Sequence, residues 1–442
     1  MKWAVYNLLF LAVYPFLLPG FLTRMLKRGG YAARFGDRFA LYPQEILEKL
    51  GAKPVSHDFA KGEFVWIHAV SVGEVQVAGQ LMREWRKVEP EVRFCFSTTS
   101  STGWKMAEKE VAERDVLIYN PLDFPNFVKS AFRTVRPRAV VLTESEIWPN
   151  FIRRARKYGV PLFLVNARVS DRSAPRYKLA KCFFGDVFRC FTRIFAQSEL
   201  DKARLVAAGA PADRTDVTGS FKFDVARRNP AKEAELRAWV GEGRILLGGS
   251  TWPGEDEALL GIYGRLLAKA PEGTRDLKLV IAPRHFEKAD AVEANIRRLG
   301  FGCVRRSRGE GQKTARGRKT EDERREVFLA DTTGELMGLY GIADVVFVGK
   351  SLCAHGSQNM IEPCLCGKPT VVGPHTENFR PVMSDLLEGE GIVQIRDAAE
   401  LEVKIGELLS TGSALGERAR AAVARRCGVV PKCVAAVREA IR

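Results

Sequence analysis

Short apolar runs alternate with longer amphipathic stretches through the first half of this chain. Each apolar run ends in polar residues, and a segment with helical periodicity follows it. The runs lie at residues 64–70, 93–96, 116–119, 139–142, 162–165, 194–196 and 216–218. Buried strands that recur every ~25–40 residues, with helices between them, are typical of a parallel sheet covered on both faces. The pattern therefore predicts an α/β fold.

The same pattern starts again in the second half of the chain. Residues 219–230 are polar and end in proline, which is typical of a linker. Beyond them, apolar runs at 244–248 and 277–282 each precede a polar loop. Residues 331–379 then predict a helix, a buried strand, a glycine-broken loop, a second helix and another strand. Two Rossmann-like domains that face a cleft are the organisation of the GT-B glycosyltransferase fold, which we predict here.

The N-terminus differs from the rest of the chain. Residues 3–22 are almost wholly apolar, and three basic residues follow before position 29. This length is close to the ~20 residues that span a bilayer. Pro15, Pro19 and Gly20 are expected to break the second half of a helix, which favours a shallow insertion over a span. We predict an anchor on the cytoplasmic face of a membrane; a full span, a buried core helix and a cleaved signal peptide are the alternatives.

Composition narrows the choice of partners. The 69 Lys and Arg residues exceed the 53 Asp and Glu residues, so the formal charge is +16 and an anionic partner is expected.

The nine cysteines are scattered without a CxxC pair, which indicates reduced thiols. None of the five histidines has a Cys or Asp at ligand spacing, so no metal centre is expected. Residues 305–325 mix acids with bases and lack aromatics, which favours a solvated loop over a nucleic-acid site.

The loop at residues 349–359 is the strongest candidate for a ligand site. Loops that follow a strand in an open α/β sheet lie at its carboxyl edge, where ligands bind. Backbone N–H groups at the start of the next helix would form a seat for a phosphate. Glu362, expected about one turn into that helix, is placed to accept hydrogen bonds from a ribose diol. Together these features predict a binding site for a nucleotide-sugar donor.

Several motifs carry a resemblance to one family. The first half contains HAVSVGE (68–74), TESEIWPN (143–150), NARVSDRS (166–173) and GSFKFD (219–224). The second half contains GSTWPGED (249–256), APRHFEK (282–288) and DTTGEL (331–336). In this order and spacing they resemble the Kdo transferases of lipopolysaccharide synthesis, which move 3-deoxy-D-manno-octulosonic acid (Kdo) from CMP-Kdo to a lipid A precursor. The resemblance extends from the N-terminus to at least Phe379.

The resemblance implies an inverting glycosyltransferase that uses neither a metal nor another cofactor. Its partners would be CMP-Kdo, the lipid A precursor and the anionic inner-membrane surface of a Gram-negative-type cell, on the cytoplasmic side, and no nucleic acid. The chain would divide into a membrane anchor (1–28), an acceptor-binding domain (29–224) and a donor-binding domain (225–442). The last helix would either stay in the second domain or cross back to the first.

The motifs also imply the residues of each site. Hydroxyl groups, cations and close-packed backbone would hold the donor. The alternatives left open are an N-cap role for Ser250 and Thr251, a surface position for Arg284, a strand-end cap by His285, and a capping box of Thr332 with Glu335. The donor-binding residues would be Ser250, Thr251, Arg284, His285, Gly334, Glu335, Gly349, Asn359 and Glu362. The acceptor-binding residues would be Ser71, Gly73, Glu74, Glu144, Glu146, Arg168 and Ser170.

Inverting transfer also needs a general base close to the attacking hydroxyl. The family pattern has a carboxylate in a segment like YxxRxGER, and here Asp37 stands where glutamate is expected. Asp37 is therefore the predicted base, one methylene shorter, and an ordinary turn residue is the alternative. Gln358 and Trp252 stand where histidine is more usual, which affects how the donor is held.

Two other classes of function are alternatives to a Kdo transferase. One is a GT-B enzyme that acts on a UDP-sugar, such as a glycolipid or peptidoglycan transferase or an epimerase. The other is a non-catalytic protein that binds lipid or nucleic acid through its basic surface. Polar loops gathered at strand ends in both halves favour an enzyme over simple binding.

Overall fold

The computed structural model of the protein describes residues 2–28, 32–51, 62–225, 228–269, 276–309, 325–411 and 413–441. The chain divides into two compact units, residues 1–225 with 428–442, and residues 226–427. Two features of the sequence fall outside the described residues: Tyr31, and positions 310–324 of the predicted charged loop.

The first unit is built around a sheet of seven parallel strands. The strands are β1 (Phe64–His68), β2 (Arg93–Thr98), β3 (Val116–Tyr119), β4 (Pro137–Thr143), β5 (Leu162–Ala167), β6 (Arg193–Ala196) and β7 (Thr215–Val217). Their order is β3-β2-β1-β4-β5-β6-β7. The helices are α1 (Lys2–Arg28), α2 (Gln44–Lys49), α3 (Val72–Val88), α4 (Ser101–Ala107), α5 (Pro125–Val135), α6 (Pro149–Lys157), α7 (Ala174–Leu179), α8 (Lys181–Phe188), α9 (Glu199–Ala207) and α10 (Lys222–Val225).

The second unit repeats this plan with another seven-stranded sheet. The strands are β8 (Arg244–Thr251), β9 (Leu277–Pro283), β10 (Gly302–Arg305), β11 (Glu326–Leu329), β12 (Val345–Val348), β13 (Thr370–Val372) and β14 (Val393–Gln394). Their order is β10-β11-β9-β8-β12-β13-β14, and all pairs are parallel. The helices are α11 (Pro230–Val240), α12 (Glu255–Lys269), α13 (Ala289–Arg298), α14 (Leu336–Ile342), α15 (Ile361–Leu365), α16 (Arg380–Glu388), α17 (Ala398–Thr411) and α18 (Ser413–Ala424).

The last helix, α19 (Val429–Ala440), belongs to the first unit, where it packs on α3. Asp224 fixes its start, because the Asp224 carboxylate accepts hydrogen bonds from the backbone N–H groups of Gly428 (2.6 Å) and Val430 (2.7 Å). A carboxylate at the N-terminus of a helix also interacts favourably with the helix dipole. The C-terminal segment therefore completes the apolar layer on one face of the first sheet.

Continuous apolar runs form the strands because both faces of each sheet are covered by helices. All five residues of β1 are buried, as are all four of β12. The prediction of parallel α/β sheets is confirmed in both halves. Three strands, β10, β11 and β14, were not predicted. The first two flank the charged stretch, and β14 has two residues, too few to give a period.

The topology places a switch point in each sheet. In the first unit, the chain runs from β1 outward through β2 to β3 and then crosses back to place β4 on the other side of β1. The strand order therefore reverses between β1 and β4. In the second unit the reversal lies between β8 and β12. Ligands in open α/β sheets bind outside the carboxyl ends of the strands at such points. Each unit therefore offers one favoured edge for a site.

Helix α1 is continuous through Pro15, Pro19 and Gly20, so the predicted break is wrong. A proline inside a helix removes its own backbone hydrogen bond, and its ring crowds the carbonyl of the residue four positions earlier. The helical backbone of α1 nevertheless continues past both prolines. The Thr23 hydroxyl donates to the carbonyls of Pro19 (2.9 Å) and Gly20 (3.2 Å) in the turn after the second proline. No helix among the described residues combines the length and apolar character needed to cross a bilayer.

The first half of α1 has two different apolar faces. One face packs on the first unit: Trp3 and Tyr6 contact Phe183, and Phe10 contacts Phe124 at 5.0 Å between ring centres. The opposite face is exposed, so the alternative of a buried core helix is wrong. This exposed apolar face of α1 consists of Val5, Leu8, Leu9, Val13 and Phe16, which recur at helical spacing.

Candidate functional site

The predicted acceptor-binding residues lie after the carboxyl ends of β1, β4 and β5. Ser71 is the N-cap of α3, and its hydroxyl accepts the Glu74 N–H at 3.2 Å. The Glu74 carboxylate in turn accepts the Val70 N–H (3.0 Å) and the Thr143 hydroxyl (3.2 Å). Glu74 therefore joins the end of β1 to the end of β4. Gly73 has open space around its Cα, so the backbone of this turn is accessible to a ligand.

Glu144 lies at the centre of a charged cluster after β4. Its carboxylate is 2.9 Å from the Arg168 guanidinium and accepts a hydrogen bond from the Asn166 amide at 3.3 Å. Burial raises the pKa of Glu144, while Arg168 and Lys222 act in the opposite direction. Glu144 has a positive φ of 50°, which turns the chain sharply out of the strand. Asn166 and Lys222 were missed by sequence reasoning, although both lie inside quoted motifs.

Glu146 faces the end of β1 from the same loop. Its carboxylate accepts the Trp148 indole N–H at 2.8 Å and lies 3.7 Å from His68 Nε2. His68 is fully buried, and its Nδ1 is held by the carbonyl and hydroxyl of Ser97. Within the described part of the chain, His68 Nε2 has no hydrogen-bond partner. His68 is therefore a further candidate residue that sequence reasoning did not assign.

The remaining acceptor-side residue, Ser170, is exposed in the turn before α7. Its hydroxyl lies 2.9 Å from the Ser173 hydroxyl and accepts the Ser173 N–H at 3.2 Å. These bonds fix the local turn. Of Arg168 and Ser170, only Arg168 contacts the carboxylate cluster among the described residues, through its ion pair with Glu144.

Asp37 lies in a 3-10 segment, Ala32–Phe39, and is fully buried. Its carboxylate accepts hydrogen bonds from the Arg34 guanidinium (2.9 Å) and from the Tyr119 N–H (3.1 Å). Burial raises the pKa of Asp37, and the Arg34 contacts oppose the increase. In this arrangement the carboxylate is closed to solvent. A role as base requires the carboxylate to be uncovered when an acceptor binds, and it stays a prediction.

A cavity of about 450 Å³ opens at the carboxyl edge of the second sheet. It brings together five of the nine predicted donor-binding residues. These are Ser250, Arg284, His285, Gly334 and Glu335. The Trp252 indole packs edge-on against the His285 imidazole, with 5.5 Å between ring centres, and the Lys350 ammonium lies 5.2 Å from the same indole. Trp252 therefore supports both the cavity wall and the start of the loop at 349–359.

Ser250 and Thr251 belong to β8, which is longer than predicted. Helix α12 begins at Glu255, so the N-cap alternative for these residues is wrong. Ser250 lines the cavity with a positive φ of 54°, whereas Thr251 is buried and does not line it. A Cβ at Gly349 would lie 2.2 Å from the Ser250 carbonyl oxygen. Gly349 therefore lets β12 leave the sheet directly beside the end of β8.

Glu335 is the N-cap of α14, so the capping box proposed with Thr332 does not form. The Thr332 hydroxyl donates to the Glu335 carboxylate. Arg306 (3.0 Å) and Lys232 (2.6 Å) pair with the same carboxylate. Burial alone would raise the pKa of Glu335, but these partners hold this pKa at about 2. The Glu335 side chain therefore stabilises the cavity wall. The absence of a side chain at Gly334 leaves the adjacent backbone accessible from the cavity.

Glu362 lies in the first turn of α15, a helix of only five residues. The Asn359 amide donates to the Glu362 carboxylate at 3.0 Å, and its carbonyl oxygen accepts the Ile361 N–H at 3.1 Å. Burial raises the pKa of Glu362, and the bond from Asn359 opposes the increase. Asn359 thus orients the carboxylate that the sequence predicts to contact a ribose.

Glu255 organises the loop at 349–359 and was not singled out in the sequence. Its fully buried carboxylate accepts N–H bonds from Trp252 (2.8 Å), Lys350 (2.7 Å) and Leu352 (3.0 Å). One signal in the sequence could have identified this residue. Glu255 directly follows GSTWPG, at the start of the predicted helix, where a carboxylate interacts favourably with the helix dipole.

We expect Glu255→Gln to destabilise the second unit. The new amide NH2 would face backbone N–H donors and leave at least one of them unsatisfied, at a cost of ~1–3 kcal/mol. Thermal unfolding followed by circular dichroism should show a Tm lower by ~2–10 °C. Glu417→Gln is the matched control, because Glu417 is an exposed glutamate on helix α18 of the same unit. Equal Tm values for the two variants would contradict the role of Glu255.

Comparison with known proteins identifies the family. A family model described as 3-Deoxy-D-manno-octulosonic-acid transferase (kdotransferase) matches residues 33–225. The 3-deoxy-D-manno-octulosonic acid transferase of Haemophilus influenzae is 30% identical over 410 residues, covering 92% of this chain and 90% of that protein. The protein of the same name from Bordetella pertussis is 33% identical over 421 residues, covering 92% and 94%.

Solved structures agree on the architecture. Anabaena HepE in complex with UDP has a TM-score of 0.56 at 14% identity, covering 85% of this chain and 99% of that chain. A glycosyltransferase from Rickettsia africae has a TM-score of 0.57 at 13% identity, covering 86% and 99%. At these identities the likeness concerns the fold, two parallel-sheet domains resembling GT-B glycosyltransferases. With the two relatives above, the resemblance seen in the motifs is confirmed: the chain belongs to the 3-deoxy-D-manno-octulosonic acid transferase family.

Proposed function

We propose that this protein transfers Kdo from CMP-Kdo to a hydroxyl group of a lipid A precursor, with inversion at the anomeric carbon. The observation that carries the proposal is the cavity of about 450 Å³ at the carboxyl edge of the second sheet, which gathers Ser250, Arg284 and His285. A CMP-sugar presents a phosphodiester and, in Kdo, a carboxylate. Cations and hydroxyls at one edge suit both anions.

The donor side offers a separate group for each part of the ligand. Arg284 is exposed, and its guanidinium makes no hydrogen bond or ion pair with any residue in the described ranges. It is therefore available to pair with an anionic group of the donor. The open backbone at Gly334 suits a flat base, and Glu362 suits the ribose hydroxyls. The assignments of Gly334 to the base and of Glu362 to the ribose repeat the sequence predictions and are part of this proposal.

The acceptor side is rich in carboxylates, which suits hydrogen bonding to sugar hydroxyls. Glu144 and Glu146 remain partly exposed at the switch point of the first sheet. Arg168, with its side chain more than half exposed, adds a cation for a phosphorylated acceptor. The exposed apolar face of α1 and the net charge of +16 suit an anionic membrane surface on the cytoplasmic side of the inner membrane, where such a lipid acceptor would reside.

The chemistry would be a direct displacement. The base, predicted to be Asp37, takes the proton of the acceptor hydroxyl as its oxygen attacks the anomeric carbon of Kdo. The bond from that carbon to the phosphate oxygen breaks, and CMP leaves with the electron pair. Cations on the donor side would stabilise the charge that develops on the departing phosphate. No cofactor is part of this proposed sequence of steps.

A transfer assay tests the proposal directly. Detergent-solubilised full-length protein is mixed with CMP-Kdo generated in situ and a tetraacylated lipid A precursor, and the lipid is analysed by mass spectrometry. The expected result is a mass increase of one or more Kdo units that persists in EDTA. Folded protein that gives no product with CMP-Kdo would refute the proposal and direct the search to UDP-sugars.

We expect Glu362→Gln to raise the KM for CMP-Kdo by roughly 10–100-fold, the range for losing a charged hydrogen bond of ~1.5–3 kcal/mol. Glutamine keeps an oxygen near Asn359 but loses the negative charge offered to the ribose hydroxyls. Initial rates at varied CMP-Kdo concentration give the comparison. Glu407→Gln is the matched control, because the Glu407 side chain on α17 is exposed and pairs only with Lys404 among the described residues. An unchanged KM in Glu362→Gln would remove this residue from donor binding.

A further inference from the structure

Three metal-ligating side chains lie together beside the loop at 349–359. They are His355, within that loop, and His375 and Glu377, which follow β13. Their ligand atoms all lie within 4.8 Å of one another. None of the three lines the cavity described above. The group could not be predicted from ligand spacing, because His355 lies twenty residues away from His375.

The distances between ligand atoms suit a small tetrahedral ion. His375 Nδ1 lies 3.4 Å from Glu377 Oε1, and His355 Nδ1 lies 3.6 Å from the same oxygen. Zinc bonds of ~2.0–2.2 Å at tetrahedral angles place neighbouring ligand atoms ~3.3–3.6 Å apart. The two imidazole rings meet nearly edge-on, at 68° with 4.9 Å between their centres. Two nitrogens and one carboxylate oxygen form a donor set that zinc commonly uses.

The backbone orients the carboxylate for this role. The Gly356 N–H donates to Glu377 Oε2 at 2.9 Å, so Oε1 is the oxygen that faces the histidines. An outer hydrogen bond of this kind typically supports a metal ligand. The fixed negative charge also disfavours phosphate, so the chemistry of the cluster selects a cation.

We propose that His355, His375 and Glu377 bind one divalent transition-metal ion, with Zn²⁺ as the best fit. The side chain of His355 is 91% exposed, so a fourth position is open to water. The ion would tie the loop at 349–359 to the segment after β13. Ser357 and Asn378 already join the same two segments through hydrogen bonds of 2.8 and 2.9 Å. This role is separate from the proposed transfer, which needs no metal.

Cobalt titration of the full-length protein tests the site without using activity. Protein stripped with EDTA and desalted is titrated with Co²⁺, and d–d absorption in the visible region is recorded. We expect one equivalent with the intense bands of tetrahedral coordination, which Zn²⁺ then abolishes. H355A and H375A should each weaken Co²⁺ binding by at least ~100-fold, beyond the ~10–100-fold typical of losing an outer hydrogen bond.

His285→Ala is the matched control for metal binding. His285 lies 3.2 Å from Glu287 in the same unit, but that pair has no third ligand atom among the described residues. The control should bind Co²⁺ like the parent. Absence of a one-to-one complex in the parent, or equal affinity in the parent, H355A and H375A, would overturn the proposal. Tm values measured in EDTA verify that each variant is folded. If H375A unfolds, H355A decides the outcome, because the His355 side chain is exposed and its loss should not disturb packing.

Discussion

Replacing Asp37 by asparagine is expected to lower kcat for Kdo transfer by roughly 10²–10⁴-fold, the usual contribution of a positioned general base. Asparagine has nearly the same shape but cannot accept the proton of the acceptor hydroxyl. The pH profile of kcat/KM should also change. The parent loses activity as pH falls through the pKa of the base, whereas this limb should be absent in the variant. Initial rates from pH 4 to 9 measure both effects.

A purely structural role for Asp37 predicts a different result. Asp37 is fully buried and pairs with Arg34, so the substitution would then lower Tm and leave the pH profile unchanged. Asp115→Asn is the matched control, because Asp115 is also buried, pairs with Arg86 and accepts backbone N–H groups. Asp37→Glu, which restores the residue expected from the family pattern, should keep most of the activity. A variant Asp37→Asn that retains the acid limb would remove Asp37 from catalysis.

Most of the fold was predictable because the parallel strands are buried on both faces. Such strands appear in the sequence as uninterrupted apolar runs, and β1 and β12 are clear examples. Helix boundaries were less predictable. Helix α1 continues through two prolines, although each removes a hydrogen bond to the carbonyl four residues earlier, and no local pattern in the sequence indicates this continuity. The two-residue strand β14 exists only through its pairing with β13.

The candidate site was predictable where a residue type follows the end of a strand. Arg284 was placed in this way, whereas Gly334 was placed through the family motif, and both line the cavity. The residues that organise the site could not be found so easily. Glu255 binds backbone N–H groups of a loop almost one hundred positions away, and its role depends on the neighbouring positions of β8 and β12. Long-range contacts of this kind leave no periodic signal in the sequence.

The exposed apolar face of α1 leads to the second large effect. We expect the double substitution Leu8→Glu and Phe16→Glu to weaken binding to anionic phospholipid vesicles by at least ~100-fold, because burying one such side chain is worth ~1.5–3 kcal/mol. In the described structure these side chains are 68% and 85% exposed, respectively, so their replacement should not disturb the packing of α1 on the first unit. Vesicle sedimentation with full-length protein measures the partition.

Val403→Glu is the matched control, because Val403 is an apolar side chain, 57% exposed, on α17 of the second unit. It should bind vesicles like the parent and keep the same Tm. Salt separates the two contributions to binding. Charge attraction between the basic protein and anionic lipid weakens at high ionic strength, whereas insertion of apolar side chains persists. Binding by the α1 double variant that equals the parent at both low and high salt would exclude this face from membrane contact and leave the basic surface as the only link to lipid.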